Sequence, residues 1–148
     1  MKTAIYPGSF NPWHKGHTDI LLKALSVFDT VYVAIGINPE KDSRPNHERV
    51  QEVERAIENL AGRGAAYSVE VHCFDGLLAD YVKETKAHAI VRGLRSSNDF
   101  EYEKVQQYWN EDLGIVVPVV YFMSDRKLTH ISSSAVRMIE KMKIGEEK

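Results

Sequence analysis

The sequence contains little cysteine, no marked excess of either charge and no long hydrophobic run. Its one cysteine, Cys73, excludes an internal disulfide and a metal site built on paired cysteines. A formal net charge of -2 argues against a broad basic surface, so we expect no nucleic-acid partner. No apolar stretch is long enough to span a bilayer, so we expect no membrane partner. A strand predicted from Thr3 leaves no room for a signal peptide, which makes the cytoplasm the simplest location.

Strand-like and helix-like patterns alternate along all 148 residues. The predicted strands, which are rich in β-branched, aromatic or alternating apolar residues, cover 3–6, 30–36, 67–73, 89–91 and 115–122. The predicted helices cover 18–28, 50–60, 77–86, 100–113 and 132–143, the last with a serine as its N-cap. These β-α units predict an α/β fold in one domain over 1–148: a Rossmann-like, doubly wound, five-stranded parallel sheet with helices on both faces. Pro118 inside the last predicted strand indicates an edge strand or a bulge.

Cationic and hydroxyl side chains follow several of the predicted strands. The carboxyl ends of parallel strands meet at one edge of a sheet, and ligands bind where the strand order reverses. We therefore expect these side chains to gather there and to suit several phosphates held together. The set comprises Ser9, His14, His17, Lys41, Arg44, Arg92, Arg95, Ser124, Arg126, Lys127 and residues 132–134.

The loop after the first predicted strand, YPGSFNPWHKGH at 6–17, is the most informative segment. It lacks both the GxxxxGK[ST] pattern and the GxGxxG fingerprint, so neither a P-loop nor a dinucleotide fold is indicated. Gly16 permits a ligand to approach the backbone. His14 and His17 lie about one helical turn apart and can face the same phosphate. The positive end of the helix dipole there favours neutral imidazoles that donate hydrogen bonds.

Together with two downstream blocks, RGLRSSNDFEYE at 92–103 and ISSSAVR at 131–137, this loop resembles the bacterial phosphopantetheine adenylyltransferases. They belong to the nucleotidyltransferase superfamily marked by [HT]xGH, and the resemblance runs from Met1 to about Ile139. It implies an enzyme that transfers AMP from ATP to the phosphate of 4′-phosphopantetheine, giving dephospho-coenzyme A and pyrophosphate for coenzyme A biosynthesis. The acceptor phosphate, with a second pKa of about 6, is already ionised near neutral pH, so the reaction needs no general base.

The resemblance also implies site residues and partners. Catalysis is assigned to His17, Lys41 and Arg92, with His17 on the α-phosphate. ATP binding is assigned to Ser9, Phe10, His14, His17, Gly93, Leu94, Arg95, Glu103, Leu128, Thr129, His130, Ile131, Ser132, Ser133 and Ser134. Binding of the acceptor substrate is assigned to Ser9, Lys41, Leu77, Leu78, Arg92 and Asn110. We expect Mg²⁺ on the ATP phosphates with no metal-binding residues of the protein, coenzyme A as an inhibitor, and a homo-oligomer, which is a hexamer in the family.

Two departures and two alternatives remain open at this point. His14 stands where the family commonly has threonine, and typical members continue further after ISSSxVR. The loop also resembles nicotinate or nicotinamide mononucleotide adenylyltransferases, which carry GxFNPxHxGH and ISSxxxR, although RGLR…DFEYE and Asn110 favour pantetheine phosphate. A non-catalytic protein that binds coenzyme A or ATP is the other alternative, and it would release no pyrophosphate.

Overall fold

A computed structural model describes residues 1–38, 40, 44–58, 60, 68–128 and 130–146. Strands and helices alternate in the predicted order, as β1 (Thr3–Gly8), α1 (Lys15–Leu25), β2 (Thr30–Gly36), α2 (Asn46–Glu58), β3 (Ser68–Phe74), α3 (Leu78–Thr85), β4 (Ala89–Leu94), α4 (Ser97–Asp112), β5 (Val119–Met123) and α5 (Ser133–Glu146). A short 3₁₀ helix, Arg126–Leu128, lies between β5 and α5. No helix among these residues is both long enough and apolar enough to cross a bilayer.

The five strands form one parallel sheet in the order β3-β2-β1-β4-β5. The chain winds outward from β1 through β2 to β3, and then returns to place β4 on the other side of β1. The strand order therefore reverses between β1 and β4, where the connections after the two strands run to opposite faces. In such sheets this is the point at which a crevice opens beyond the carboxyl ends of the strands.

Hydrophobic clusters cover both faces of the sheet, as a doubly wound fold requires. On one face, Ala4 and Tyr6 of β1 pack with Ile20 of α1 in a cluster that also includes parts of α2. On the other face, Ile5 of β1 packs with Val82 of α3. Alternate side chains of β1 thus point to opposite faces and are buried on both, which is typical of a central parallel strand.

The last strand differs from its prediction at its beginning. The apolar run from Ile115 indicates a strand, but β5 begins only at Val119. Ile115 is buried while Val116 is 91% exposed, and the pairing of this segment with β4 begins only at Val119. Pro118 lies just before β5, where its carbonyl oxygen accepts the N–H of Ile90 at 2.9 Å. The edge position indicated by this proline is confirmed, because β5 is an outer strand.

Candidate active site

A cavity of about 410 Å³ opens beyond the carboxyl ends of β1 and β4, at the reversal of strand order. Several residues predicted for the site line it together: Ser9, Phe10, His14, His17, Arg92, Gly93, Arg95, Glu103, Ser132, Ser133 and Ser134. Arg137 and Ser124 line it too. Among the described residues of its wall, Glu103 is the single carboxylate, whereas three arginines contribute positive charge. This excess of cationic and neutral donors suits an anionic ligand with several phosphates.

His14 and His17 are held in one tautomer by the first turn of α1. His14 is the N-cap, and its Nδ1 accepts the N–H of Gly16 at 3.1 Å. The Nδ1 of His17 accepts the backbone N–H of His14 at 3.2 Å. A neutral imidazole whose Nδ1 accepts must carry its proton on Nε2. Each ring therefore keeps an Nε2–H group as the donor that it can offer to a ligand in the cavity.

Aromatic rings and burial keep His17 neutral. Its ring lies 4.9 Å from the ring of Phe10 and 5.2 Å from that of Trp13, measured between centroids, and stacks on His14 at 3.7 Å. Burial, with smaller contributions from His14 and Arg95, lowers the pKa of His17 to about 3. Burial and Arg95 also lower the pKa of His14. The helix dipole predicts neutral rings too, and the removal of the rings from water lowers both pKa values.

The glycine of the HKGH sequence has a packing reason. A Cβ atom on Gly16 would lie 2.9 Å from Cε1 and 3.0 Å from Nδ1 of His14, closer than real contacts of this kind. A side chain at this position would therefore push the His14 ring away from the stack with His17. Gly16 thus lets both rings lie side by side at the mouth of the helix.

The loop after β1 is held from below by a buried arginine of α2. Arg49 is only 5% exposed, and its guanidinium donates to the carbonyl oxygens of Ser9 at 2.9 Å and Gly36 at 3.3 Å. These contacts tie the ends of β1 and β2 together beneath the cavity. Phe10, next in the loop, is buried with a φ of 46°, a left-handed conformation that few side chains adopt. The surrounding contacts thus hold the loop in a backbone conformation that is unfavourable for an isolated phenylalanine.

The start of α5 holds the same loop from the other side. The hydroxyl of Ser133 donates to the carbonyl oxygen of Pro12 at 3.0 Å. Arg137 donates to the carbonyl oxygen of Asn11 and, at 3.2 Å, to the hydroxyl of Ser134. The predicted serine cap of this helix is confirmed, since the hydroxyl of Ser132 accepts the N–H of Ala135 at 3.1 Å. The serines therefore stand at a helix N-terminus beside the loop, an arrangement that favours phosphate.

Arg92 is oriented by Glu103 through a bidentate ion pair. Its Nε and Nη2 donate to the two carboxylate oxygens of Glu103 at 3.0 and 2.8 Å, and its Nη1 donates to the carbonyl oxygen of Pro7 at 3.3 Å. A guanidinium has five N–H groups, so each terminal nitrogen keeps one for a ligand. Glu103, which the resemblance assigns to ATP, contacts Arg92 in this structure.

Arg95 connects the end of β4 to the segment before α5. Its Nη1 donates to the carbonyl oxygen of Ile131 at 3.0 Å, and Asp99 accepts both its backbone N–H and its Nε–H. Ile131 is thereby brought beside the cavity, although its side chain is not part of the described wall. Gly93 is part of that wall, and a Cβ atom there would lie 2.8 Å from Cγ1 of Ile20. This glycine therefore lets α1 pack closely on β4.

A smaller cavity of about 170 Å³ shares Arg92 and Glu103 with the large one. Leu78 and Asn110, predicted to bind the acceptor, line it, together with Tyr121 and other residues of α4 and β5. The predicted acceptor residues of α3 and α4 are thus brought next to Arg92. Between them, the two cavities extend from the histidines to the partly apolar space under α4.

Other predicted site residues are not brought into the described walls. Leu77 is 48% exposed at the start of α3, and His130 is exposed in a turn. Leu94 and Leu128 do not line the large cavity, although the carbonyl oxygen of Leu94 accepts the N–H of Ser124 at 2.9 Å. Lys41 and Thr129 lie outside the described residues, so their assignments stay predictions.

Sequence reasoning gave no role to Arg137 or Arg49. Arg137 belongs to the ISSSAVR block, and its spacing from Ser133 and Ser134 places it about one helical turn further on the same face. Arg49 lies just before the helix predicted over 50–60, but α2 begins at Asn46, and the helical period then places Arg49, four residues before the buried Val53, on the inner face. A charged side chain at a buried position was the available signal.

Comparison with known proteins identifies the family. The family model described as cytidylyltransferase-like matches residues 5–139. Phosphopantetheine adenylyltransferase of Clostridium botulinum strain 657 is 41% identical over 140 residues, covering 94% of this chain and 82% of the relative. The Clostridium novyi protein of the same name is 39% identical over the same share of this chain and 83% of its own length.

Solved structures with this fold include distant adenylyltransferases. A putative nicotinate-nucleotide adenylyltransferase of Vibrio parahaemolyticus matches with a TM-score of 0.60 at 21% identity, over 93% of this chain and 79% of its own. A bifunctional NMN adenylyltransferase/ADP ribose pyrophosphatase of Francisella tularensis matches with a TM-score of 0.61 at 16% identity, over 93% and 40%. These likenesses support the Rossmann-like fold alone. The family model and the identity to the clostridial relatives show that the chain belongs to the cytidylyltransferase-like family and, within it, to the phosphopantetheine adenylyltransferases.

Proposed function

We propose that this chain transfers AMP from ATP to the phosphate of 4′-phosphopantetheine, producing dephospho-coenzyme A and pyrophosphate for coenzyme A biosynthesis. The observation that carries the proposal is the 41% identity to named phosphopantetheine adenylyltransferases over 94% of the chain. The geometry supports it, because the large cavity, lined by cationic and hydroxyl side chains, shares Arg92 and Glu103 with a second cavity at Leu78 and Asn110.

The chemistry requires alignment and neutralisation of charge rather than proton transfer. An oxygen of the acceptor phosphate attacks the α-phosphorus of ATP and forms the new phosphorus–oxygen bond with its own electron pair. The bond from that phosphorus to the β-phosphate oxygen breaks, and pyrophosphate leaves with the electrons. Because the acceptor phosphate is ionised near neutral pH, no side chain has to remove a proton. Catalysis then depends on holding both phosphates in line and stabilising the charge that develops.

The described donors fit these demands. The Nε2–H of His17, fixed in its tautomer by His14, would donate to the α-phosphate as charge develops there. Arg92 would bind the acceptor phosphate through its remaining N–H groups, since Glu103 orients it at the junction of the two cavities. The start of α5, with Ser133 and its neighbours, would receive the β- and γ-phosphates.

Mg²⁺ would enter with the nucleotide. No cluster of His, Cys, Asp or Glu that could hold a metal ion occurs in the part of the chain that the structure describes. Glu103, the one carboxylate of the described wall, is paired with Arg92. The ion would be carried mainly by the phosphate oxygens of ATP, as is usual for Mg²⁺ bound to nucleotides.

The finer parts of the proposal concern coenzyme A and assembly. Coenzyme A contains the pantetheine arm of the acceptor, so it would compete for the cavity at Leu78 and Asn110 and inhibit the enzyme. We also propose a homo-oligomer, the hexamer of the family, in the cytoplasm. Sedimentation analysis measures the assembly, and a monomer at enzyme concentrations that support full turnover contradicts that part of the proposal.

Pyrophosphate release tests the function. Purified protein is mixed with Mg·ATP and either 4′-phosphopantetheine, nicotinate mononucleotide or nicotinamide mononucleotide, and the rate is followed with each acceptor. We expect rapid release of pyrophosphate only when 4′-phosphopantetheine is the acceptor. His17→Ala should lower kcat by a hundredfold or more, about 3 kcal/mol, as expected for the loss of one donor to a transition state. Release driven by either mononucleotide, or full activity of His17→Ala, overturns the proposal.

A further inference from the structure

The segment that leaves β5 is fastened to α1 by charged side chains outside the predicted site. Oδ2 of Asp19 accepts the backbone N–H of Asp125 at 2.9 Å and an N–H of Lys23 at 3.1 Å. Nζ of Lys23 also donates to the carbonyl oxygen of Met123 at 2.5 Å and to Oδ1 of Asp125 at 3.1 Å. Asp19, Lys23 and Asp125 together are called the α1 clamp below.

The α1 clamp connects two walls of the large cavity. Asp19 lies two residues after His17 on the same helix, so this part of the clamp belongs to the element that carries His17. Ser124, between the two clamped backbone positions, lines the cavity, and its N–H donates to the carbonyl oxygen of Leu94 at 2.9 Å. The backbone at 123–125 is thus bound to α1 on one side and to β4 on the other.

Burial and bond type distinguish this cluster from an ordinary surface ion pair. Exposed pairs contribute little, because solvent screens them and both side chains lose freedom. The side chain of Asp19 is only 12% exposed, and two contacts of the clamp reach backbone atoms, at Met123 and Asp125. Hydrogen bonds between a charged group and a backbone group are stronger than neutral ones. They fix the path of the main chain, which a contact between side chains alone would not do.

We propose that Asp19 and Lys23 are positioning residues for ATP, an inference that rests on the function proposed above. By holding 123–125 against α1, they set where the chain enters the 3₁₀ helix and reaches the serines at the start of α5. His17 would meet the α-phosphate and those serines the β- and γ-phosphates, so the clamp fixes the spacing of the triphosphate contacts. Neither Asp19 nor Lys23 belongs to the described wall, so they act through the residues that do.

Steady-state kinetics with each substrate varied in turn distinguishes an effect on ATP binding from an effect on binding of the acceptor. Asp19→Ala should raise KM for ATP about tenfold, the size expected when a charge-assisted hydrogen bond is lost, and leave KM for 4′-phosphopantetheine unchanged. Asp19→Asn keeps an oxygen that can accept the N–H of Asp125. Its KM for ATP should therefore lie between the values of Asp19→Ala and the unmodified protein. The matched control is Glu101→Gln, which removes an exposed ion pair with Lys104 on α4, 3.2 Å long, and should change neither constant.

Two measurements do not depend on turnover. Hydrogen exchange of peptides covering 123–128 should be faster in Asp19→Ala, and calorimetry without acceptor should show weaker binding of Mg·ATP. Unchanged ATP affinity with faster exchange overturns the proposal. An equal rise in both KM values with a lower melting temperature shows a purely structural role and also overturns it. If the unmodified protein makes no dephospho-coenzyme A, the proposed function fails, whereas weaker ATP binding and faster exchange in Asp19→Ala still support the clamp.

Discussion

At the scale of single residues, the hydrogen-bonding roles of the two ring nitrogens determine how His17 can act. Its Nδ1 accepts a backbone N–H, so the ring can be a donor only through Nε2. Its aromatic neighbours and the stacked His14 make protonation costly, because a charged ring buried among them would lose its hydration. A histidine of this kind suits a reaction that needs a constant hydrogen-bond donor across neutral pH.

We predict that His17 stays neutral with its proton on Nε2 from pH 8 down to pH 5. Its folded pKa of about 3 lies below the unfolded value of 6.5, so the unfolded chain binds more protons between these values. Stability therefore falls as pH drops below 6.5, and His17 should contribute up to about 2 kcal/mol of that loss by pH 5. Nitrogen-15 NMR of the ring checks the tautomer. Denaturant unfolding of the unmodified protein and His17→Gln at pH 7.5 and pH 5 checks the energy.

Two outcomes would contradict this prediction. One is titration of the His17 ring between pH 6 and pH 7, assigned by its disappearance in His17→Gln. The other is an identical loss of stability in both proteins between the two pH values.

We predict that Glu103 acts on the acceptor side through Arg92. Glu103→Gln keeps one acceptor oxygen but removes the charge, so Arg92 should lose part of the bidentate contact that orients it. KM for 4′-phosphopantetheine should rise about tenfold, in line with the loss of one hydrogen bond between charged groups. KM for ATP should stay within a factor of two. Steady-state kinetics checks this, and a rise in KM for ATP alone would favour the direct ATP contact that the resemblance assigns.

At the scale of elements, the site depends on how closely α1 lies on β4. Ile20 of α1 packs directly over Gly93, where there is no room for a Cβ atom. The histidines at the start of α1 and the arginines at the end of β4 therefore share one rigid framework. A shift of the helix would move His17 relative to Arg92 even though neither side chain is altered.

We predict that Gly93→Ala destabilises the fold by about 1–3 kcal/mol and lowers kcat, because the new methyl group forces α1 away from β4. Ile20→Ala removes the atoms that the methyl group would meet, so the double variant Gly93→Ala/Ile20→Ala should be more stable than the sum of the single changes implies. Urea unfolding and kcat are measured for the unmodified protein, the two single variants and the double variant, which together form a double-mutant cycle. If the changes in unfolding free energy were strictly additive, the close approach of α1 to β4 would not be the cause of the destabilisation by Gly93→Ala.

Several elements could be predicted from sequence to within a few residues. β2 matches its prediction at both ends, because β-branched and aromatic residues fill it and Gly36 ends it. α4 begins at Ser97, earlier than its apolar pattern indicates, since Ser96 caps it by accepting the N–H of Asp99. Periodicity marks the buried face of a helix but not its polar first turn. The start of β5 was wrong because a run of β-formers contains no sign of which residues reach a partner strand.

At the scale of the whole molecule, strand order decides where the site forms. Placement of β4 beside β1 brings RGLR at 92–95 next to the loop at 6–17, although these segments are far apart in the sequence. The sequence predicts that cationic side chains gather at this edge, and it places the histidines at the start of a helix. It does not reveal the pairing of Arg92 with Glu103 or the α1 clamp, which arise only when separate elements pack.

The competition between acceptors in one reaction tests the central claim most directly. Mg·ATP, 4′-phosphopantetheine and nicotinate mononucleotide are incubated together with the purified protein, and the products are identified by mass spectrometry. The geometry and the family predict dephospho-coenzyme A, with pyrophosphate in equal amount and no dinucleotide. A dinucleotide as the main product, or ATP bound without any transfer, would contradict the assignment of this cavity to AMP transfer onto pantetheine phosphate.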